Sequence, residues 1–212
     1  MKKLICISCL FAAAAVSAEW TPAMISLVTP VQAPSSDYDV KGLRLSLIYG
    51  ECSTFKGLDI GLIGHADGNF TGLGIGGVNV ADERLIGGHV GLVNWNANGS
   101  QPWDMRSKGA QIGAVNHSGS FCGLQDGIVN VSGSSFAGVQ FALGNFANDL
   151  QGLQMGWYFL LGVNMVSGEM SGCQIGLVNY AERIRGGVQI GLVNIIAENG
   201  WLPVLPIING SF

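Results

Sequence analysis

The chain repeats one eight-residue block about every fifteen residues from Gly42 onward, with the consensus Gly-φ-Gln-Ile-Gly-Leu-Val-Asn, where φ is apolar. The block stands as GCQIGLVN at 172–179 and as GVQIGLVN at 187–194. Degenerate copies begin at Gly42, Gly57, Gly72, Gly87, Gly109, Gly123, Gly138, Gly152 and Leu202. A short fixed period indicates one small unit stacked on copies of itself, not a globular core around a catalytic cleft.

Within each block the residues alternate with a period of two. If the opening glycine is position 0, positions +1, +3 and +5 are apolar in nearly every copy, position +2 is Gln in six copies, and position +4 is usually Gly. This alternation predicts a strand with one apolar face and one small or polar face. We expect the apolar face to form the core and the Gln side chains to form an exposed ladder.

Two further positions recur in the copies. Position +7 is Asn in nine of them, and we expect this Asn to end the strand at a turn, because Asn tolerates left-handed backbone and bonds to nearby main chain. The position two residues before each opening glycine is apolar in most copies: Phe55, Phe70, Leu85, Phe121, Phe136, Leu150 and Met170.

Two all-β architectures fit about eleven units of this kind. In a parallel β-solenoid each unit is one coil, and like residues stack about 4.8 Å apart. In an antiparallel meander each unit is one strand, and about twelve strands close into an outer-membrane barrel. The terminal Phe212 favours the barrel, since such barrels often end in an aromatic residue.

The height of the apolar band favours the solenoid. A lipid-facing barrel needs a band roughly 25 Å tall. Three apolar residues on one face of a strand span only about 14–17 Å. The parallel β-solenoid is therefore our prediction, and the twelve-stranded barrel is the alternative.

Residues 1–18 have the pattern of a signal peptide, with Lys2 and Lys3 before an apolar run and a small-residue cleavage site at 16–18. Residues 19–41 are expected to form an N-terminal lead-in that caps the array, 42–201 the β-repeat domain, and 202–212 a C-terminal capping unit. Without Lys2 and Lys3 the chain carries 8 basic and 14 acidic side chains, a net charge of −6. This acidic balance argues against a nucleic-acid partner.

The repeat resembles that of the GLQIGLVN-type surface-repeat proteins of bacteria with an outer membrane. The resemblance covers nearly the whole chain after residue 18, including ISLVTPVQAP at 25–34, GLDIGLIG at 57–64 and WLPVLPIINGSF at 201–212. It implies export and a cell-surface or outer-membrane location. The family has no assigned activity, so the resemblance implies no catalytic residues.

No residue pattern points to catalysis, a metal site or a cofactor. Asp126 occupies position +3, where a carboxylate in an apolar core is costly, and a local bulge is expected to turn it outward. The three histidines (His65, His89 and His117) are expected to be separate structural residues on the surface, since ligands of one metal must converge on one point. The cysteines after residue 18 (Cys52, Cys122 and Cys173) are expected to be unpaired small apolar residues.

Two irregular segments are candidate partner contacts. The insert near 96–107 carries Trp103, and the apolar tract at 157–161 begins with Trp157, Tyr158 and Phe159. The sequence predicts a non-enzymatic surface or envelope protein that presents a rigid β-scaffold to an unknown partner, with outer-membrane association and self-association as further expectations. A small barrel pore is the alternative function, and a carbohydrate-active solenoid enzyme is a remote one.

Overall fold

The computed structural model describes residues 19–98, 105–157 and 161–211. They form twelve β-strands in one continuous sheet, and no helix in these ranges is long and apolar enough to cross a lipid bilayer. The strands are β1 (Trp20–Val28), β2 (Val31–Ala33), β3 (Asp39–Cys52), β4 (Phe55–Ala66), β5 (Phe70–Ala81), β6 (Leu85–Asn96), β7 (Ser107–Ser118), β8 (Phe121–Phe141), β9 (Gly144–Met155), β10 (Val163–Ile175), β11 (Val178–Glu198) and β12 (Val204–Ser211).

From β3 to β11 each strand pairs in parallel with the next one along the chain, displaced by one repeat. Gly172 lies beside Gly187, Gln174 beside Gln189, and Ile175 beside Ile190. The same registry holds from Gly42 and Gly57 onward. Each repeat is therefore one coil, and the chain is a parallel β-solenoid, as the period predicts. The alternative of an antiparallel meander is wrong, because consecutive repeats run in the same direction.

Within the eight-residue block the coil buries the polar side chains at +2 and +7 and exposes the apolar ones at +1, +3 and +5, which reverses the expectation from the sequence. Gln189 is fully buried, whereas Ile190 and Leu192 beside it are exposed. Five of the six Gln side chains at position +2 donate from Nε2 to Oε1 of the Gln one coil earlier over 2.7–2.8 Å, along a ladder formed by Gln111, Gln125, Gln140, Gln154, Gln174 and Gln189. Because each amide supplies both a donor and an acceptor, the stack satisfies itself along its length, and Oε1 of the terminal Gln189 is left without a partner among the described residues.

The Asn side chains at position +7 form a second internal ladder. Each Nδ2 donates to Oδ1 of the Asn one coil later over 2.8–3.0 Å, along a ladder formed by Asn79, Asn94, Asn116, Asn130, Asn145, Asn164, Asn179 and Asn194. Each also donates to the backbone carbonyl at position +3 of the following coil, as Asn179 does to Ile190. The expected strand-ending role of this Asn is wrong, since Asn94 lies inside β6 and is fully buried.

The apolar part of the interior comes from the position two residues before the opening glycine and from position +9. Phe55 stacks on Phe70 with ring centroids 4.7 Å apart. All the apolar side chains expected at the first of these positions are buried, and small residues such as Ala66 and Ala81 pack opposite them. These stacked rings and aliphatic side chains supply the hydrophobic stabilisation of a narrow core.

The opening glycine is required by the backbone. All ten of these glycines have φ between 127° and 155°, a region that L side chains rarely adopt. A Cβ at Gly187 would lie 1.9 Å from the carbonyl oxygen of Gly172 in the preceding coil. Glycine at position 0 therefore permits the close stacking of coils.

The two ends of the solenoid close with antiparallel strands. At the N-terminal end β1 pairs in parallel with β3, and β2 turns back along β1. At the C-terminal end β12 runs antiparallel to β11, although the sequence places its residues in the same repeat array. The Gln ladder also changes near the N-terminal end, where Arg44 and Asp59 hold position +2 as a buried ion pair with N–O distances of 2.7 and 2.8 Å.

Candidate functional surface

The outer surface of the solenoid has two apolar faces that meet along a ridge. Residues at +5 and +6 both point outward, so the inward–outward alternation slips by one and the chain turns a corner there. We call the +5 side chains the ridge: Leu47, Leu62, Leu92, Ile128, Leu143, Leu177 and Leu192. The most exposed of them are Leu47 at 71%, Leu92 at 68% and Leu192 at 65%.

The first face carries positions +1 and +3, and the second face carries positions +6 and +8. Rows at +1, +3, +5 and +6 contain almost only Leu, Ile, Val, Phe, Met, Ala and Gly, and we call these four rows the apolar wedge. Ten coils at about 4.8 Å give the wedge a length of roughly 48 Å. The five residue steps from +1 to +6 give it a width of about 17 Å along the chain, so its area is roughly 800 Å². The largest apolar patch of a typical soluble monomer is about 300–600 Å².

Polarity rises on both sides away from the ridge. On the second face, position +8 mixes side chains that carry a polar group with apolar ones, and Trp95 stacks on His117 with ring centroids 3.8 Å apart. The row contains His65, Trp95, His117 and Tyr180 together with Val80, Val131, Phe146, Met165 and Ile195. On the first face, position −1 holds Lys41, Lys56 and Lys108 among smaller residues. The turns at +10 to +12 form the polar edge, which lies opposite the ridge and carries most of the exposed charges.

Asp126 is the one charged residue of the wedge among the described residues. It lies at +3 beside Ile112 in unbroken registry, and it is partly exposed. The prediction that it points outward is correct, but the reason is wrong. No bulge turns it, because every +3 side chain faces outward.

The candidate partner contacts of the sequence analysis lie partly outside the described residues. Trp103, Tyr158 and Phe159 fall there. Trp157 is described, occupies position +5 and is half-buried, and it forms an isolated bridge with Leu161. The tract therefore begins at the ridge.

The histidines have three different environments. His89 is fully buried at position +2, so the expectation of a surface residue is wrong for it. Its ring packs edge-on against Phe70 at 4.5 Å, and neither ring nitrogen has a hydrogen-bond partner among the described residues. Burial lowers the pKa of His89 to about 3, because the imidazolium form would lose its hydration.

His65 lies at the margin of the polar edge and faces two carboxylates. Its Nε2 is 3.0 Å from Asp82 and 3.6 Å from Asp67, and its Nδ1 is 2.9 Å from the Tyr49 hydroxyl, which donates to Glu51. Partial burial and the nearby Glu51 raise the pKa of Asp67. His65, Asp67 and Asp82 offer ligand atoms within 4.8 Å of one another and could hold a metal ion. This group is not predicted from the sequence, because the two carboxylates belong to turns of different coils.

The polar edge also contains a groove of about 870 Å³ with carboxylates from adjacent coils. Two of these carboxylates already have partners within the protein. Glu169 forms an ion pair with Arg185 at 2.7 Å, and Asp149 accepts a hydrogen bond from the backbone N–H of Glu169 at 2.9 Å. This cluster is not predicted from the sequence, since the turns differ in length and their registry follows only from the stacked coils.

The three cysteines in the described part of the chain, Cys52, Cys122 and Cys173, are free, as expected. Cys52 is buried next to Arg44, and burial raises the pKa of its thiol to about 11, so the thiol is protonated at neutral pH.

Comparison of the chain with protein-family models, with curated proteins and with solved structures finds no match. The resemblance to GLQIGLVN-type repeat proteins stays a prediction from the residues.

Proposed function

We propose that this chain is an exported, non-enzymatic protein of the cell envelope, a rigid β-scaffold that rests on the envelope through the apolar wedge and presents its polar edge to water. The observation that carries the proposal is the wedge itself. A surface of roughly 800 Å² with one charge is costly in water, and such patches mark interaction sites.

The interior supports a scaffold role. The Gln and Asn side chains that could bind a ligand are fully buried and bonded to their own copies in neighbouring coils. Their hydrogen bonds run along the solenoid axis and hold successive coils in register. The stacked coils thus form a stiff body whose contacts with other molecules are made by its outer surface.

The N-terminal residues support the location. The basic start and apolar run of residues 1–18 are typical of a signal for export, and the resemblance implies a diderm bacterial envelope. An exported protein with this outer surface meets lipids and envelope proteins.

Cell fractionation tests the proposal. The full chain, expressed with its own residues 1–18, is expected in the envelope fraction. Leu62→Ser combined with Leu92→Ser removes two ridge side chains and is expected to release the chain into the soluble exported fraction. Because both residues point into solvent, the thermal unfolding temperature should not change.

The matched control combines Met105→Ser with Leu202→Ser, away from the wedge. Met105 is 55% exposed and Leu202 is 54% exposed, against 54% for Leu62 and 68% for Leu92, so the control removes a comparable apolar area. Envelope retention of this control is expected to equal that of the wild type. Equal release of both variants, or a wild-type chain that is soluble, contradicts the proposal. Trp157→Ser should weaken retention in the same direction as the ridge variant.

A further inference from the structure

We infer that the occupant of the apolar wedge is the hydrocarbon of a lipid leaflet, into which the ridge inserts; this inference rests on the proposed function. The chain would then lie on a membrane with its long axis in the membrane plane. The second face, the ridge and the first face would all contact lipid.

The shape of the wedge favours lipid over a folded partner. The apolar rows continue around a corner, from +1 and +3 across the ridge to +6, so the apolar surface is convex. A flat partner or a second solenoid covers one face and leaves the other in water. Acyl chains adapt to both sides, and the ridge, where exposure reaches 71% at Leu47, is the part that inserts first.

The polarity gradient matches the layers of a leaflet. Three residues separate the ridge from the Trp95 and Tyr180 row, a distance of about 10 Å. Interfacial proteins bury their apolar side about 5–10 Å deep, and Trp and Tyr concentrate at the level of the headgroups. Lys41, Lys56 and Lys108 at position −1 can extend their ammonium groups toward water on the other side.

The backbone of the ridge satisfies the requirement that hydrocarbon imposes. Backbone N–H and C=O groups that enter hydrocarbon must be hydrogen-bonded within the protein, because lipid chains offer them no partner. In the coils those bonds run to the coil before and the coil after, as in the Leu177 N–H to Gly162 bond of 2.8 Å and the Val193 N–H to Leu177 bond of 3.0 Å. The ridge can enter an apolar phase without leaving these groups unbonded.

The position of Asp126 argues against a second copy of the chain as the occupant of the wedge. It lies near the middle of the first face, and the wedge offers no basic side chain among the described residues to pair with it. A second solenoid packed wedge to wedge on this face would bury the carboxylate among apolar side chains, because the basic row at −1 lies four residues, about 14 Å, away along the strand. Burial of an unpaired carboxylate is strongly unfavourable. In a leaflet the same carboxylate, about 7 Å from the ridge, stays at the headgroup level and limits the depth of insertion.

Flotation with phosphatidylcholine vesicles tests the inference on the purified chain. The wild type is expected to float with the vesicles. Leu62→Ser with Leu92→Ser should lower the partition coefficient about 100-fold, since each exposed Leu that enters hydrocarbon contributes about tenfold. Met105→Ser with Leu202→Ser should leave it unchanged. Asp126→Ile, which supplies the apolar residue usual at +3, should raise it.

Other outcomes overturn the inference in distinguishable ways. A wild-type chain that does not float, while the ridge variant is still released from cell envelopes, overturns the lipid assignment and leaves the envelope scaffold standing. A concentration-dependent dimer that the ridge variant abolishes, without flotation, makes a second copy the occupant. If the chain floats with phosphatidylglycerol vesicles but not with phosphatidylcholine vesicles, it binds the charged headgroup and not the hydrocarbon that both vesicles share. That result overturns insertion of the ridge. If the wild type neither floats nor fractionates with the envelope, both proposals fail.

Discussion

Two adjacent glycines illustrate how differently the solenoid constrains single residues. Gly187 opens a repeat with φ of 144°, and a Cβ there would lie 1.9 Å from the Gly172 carbonyl oxygen. A Cβ at Gly186 would meet nothing within 4 Å. The first glycine is fixed by backbone geometry and coil stacking, and the second is an ordinary solvent-facing position.

Gly187→Ala is therefore expected to destabilise the fold by more than about 3 kcal/mol, because both an unfavourable φ and a backbone clash must be relieved. Gly186→Ala should change stability by less than about 1 kcal/mol. Urea unfolding of the two variants measures this difference. Similar losses at both positions would contradict the role assigned to position 0.

His89 makes the stability of the fold depend on pH. Its folded pKa of about 3 lies below the ordinary value of 6.5, so the unfolded chain binds the proton more readily than the folded chain. The stability that this histidine supports is therefore fully present above pH 6.5 and is lost as the pH falls toward 3. The slope per bound proton is about 1.4 kcal/mol per pH unit.

His89→Gln should remove this contribution and extend the ladder, because the new amide oxygen can accept from Nε2 of Gln111 in the next coil. The measurement is the difference in unfolding free energy between the wild type and the variant, followed from pH 7 to pH 4. A constant difference across that range would show that His89 is not the titrating group.

At the scale of the strand, the direction of each side chain decides its energetic role. Gln140 donates to Gln125 at 2.7 Å and accepts from Gln154 at 2.8 Å inside the coil, whereas Val139 beside it points outward. Strands in other proteins usually bury the apolar residue of such a pair. Here the amide ladder fills the interior, so polar residues stabilise the strand from inside.

Gln140→Leu is expected to destabilise the fold by about 2–5 kcal/mol, since it leaves one buried donor and one buried acceptor unsatisfied. Val139→Gln should be nearly neutral because the new side chain extends into solvent. The thermal unfolding temperatures of both variants test which face of the strand lies inside the coil. A stabilising Gln140→Leu together with a damaging Val139→Gln would reverse the assignment of the two faces.

At the scale of the whole molecule, the surface divides into an apolar wedge, a polar edge and two ends. Trp95 lies on the second face at 43% exposure, and Trp201 lies at the C-terminal end at 48% exposure. Their similar exposure makes them matched reporters of two regions. Only the first lies at the depth at which a leaflet would meet the wedge.

With the remaining Trp residues changed to Phe, Trp95 alone is expected to be quenched by lipids brominated near the headgroup, and Trp201 alone is expected to be quenched weakly. Fluorescence titration with brominated phosphatidylcholine vesicles gives the comparison. Equal quenching would indicate that the chain adsorbs without a preferred orientation.

The sequence by itself determined the repeat and the strand, because a fixed period and an alternation of two are local properties that can be counted. The same period fits a parallel and an antiparallel stack, and only the height of the apolar band favoured the parallel one. It did not determine which side of the strand is inside. Alternation separates two faces symmetrically, and a coil of fifteen residues has an interior only a few side chains wide. The tertiary structure decided in favour of Gln and Asn, since stacking places each amide beside its own copy and satisfies it along the axis. The grouping of His65 with Asp67 and Asp82 also required stacking, because residues far apart in sequence meet only when the coils are in register.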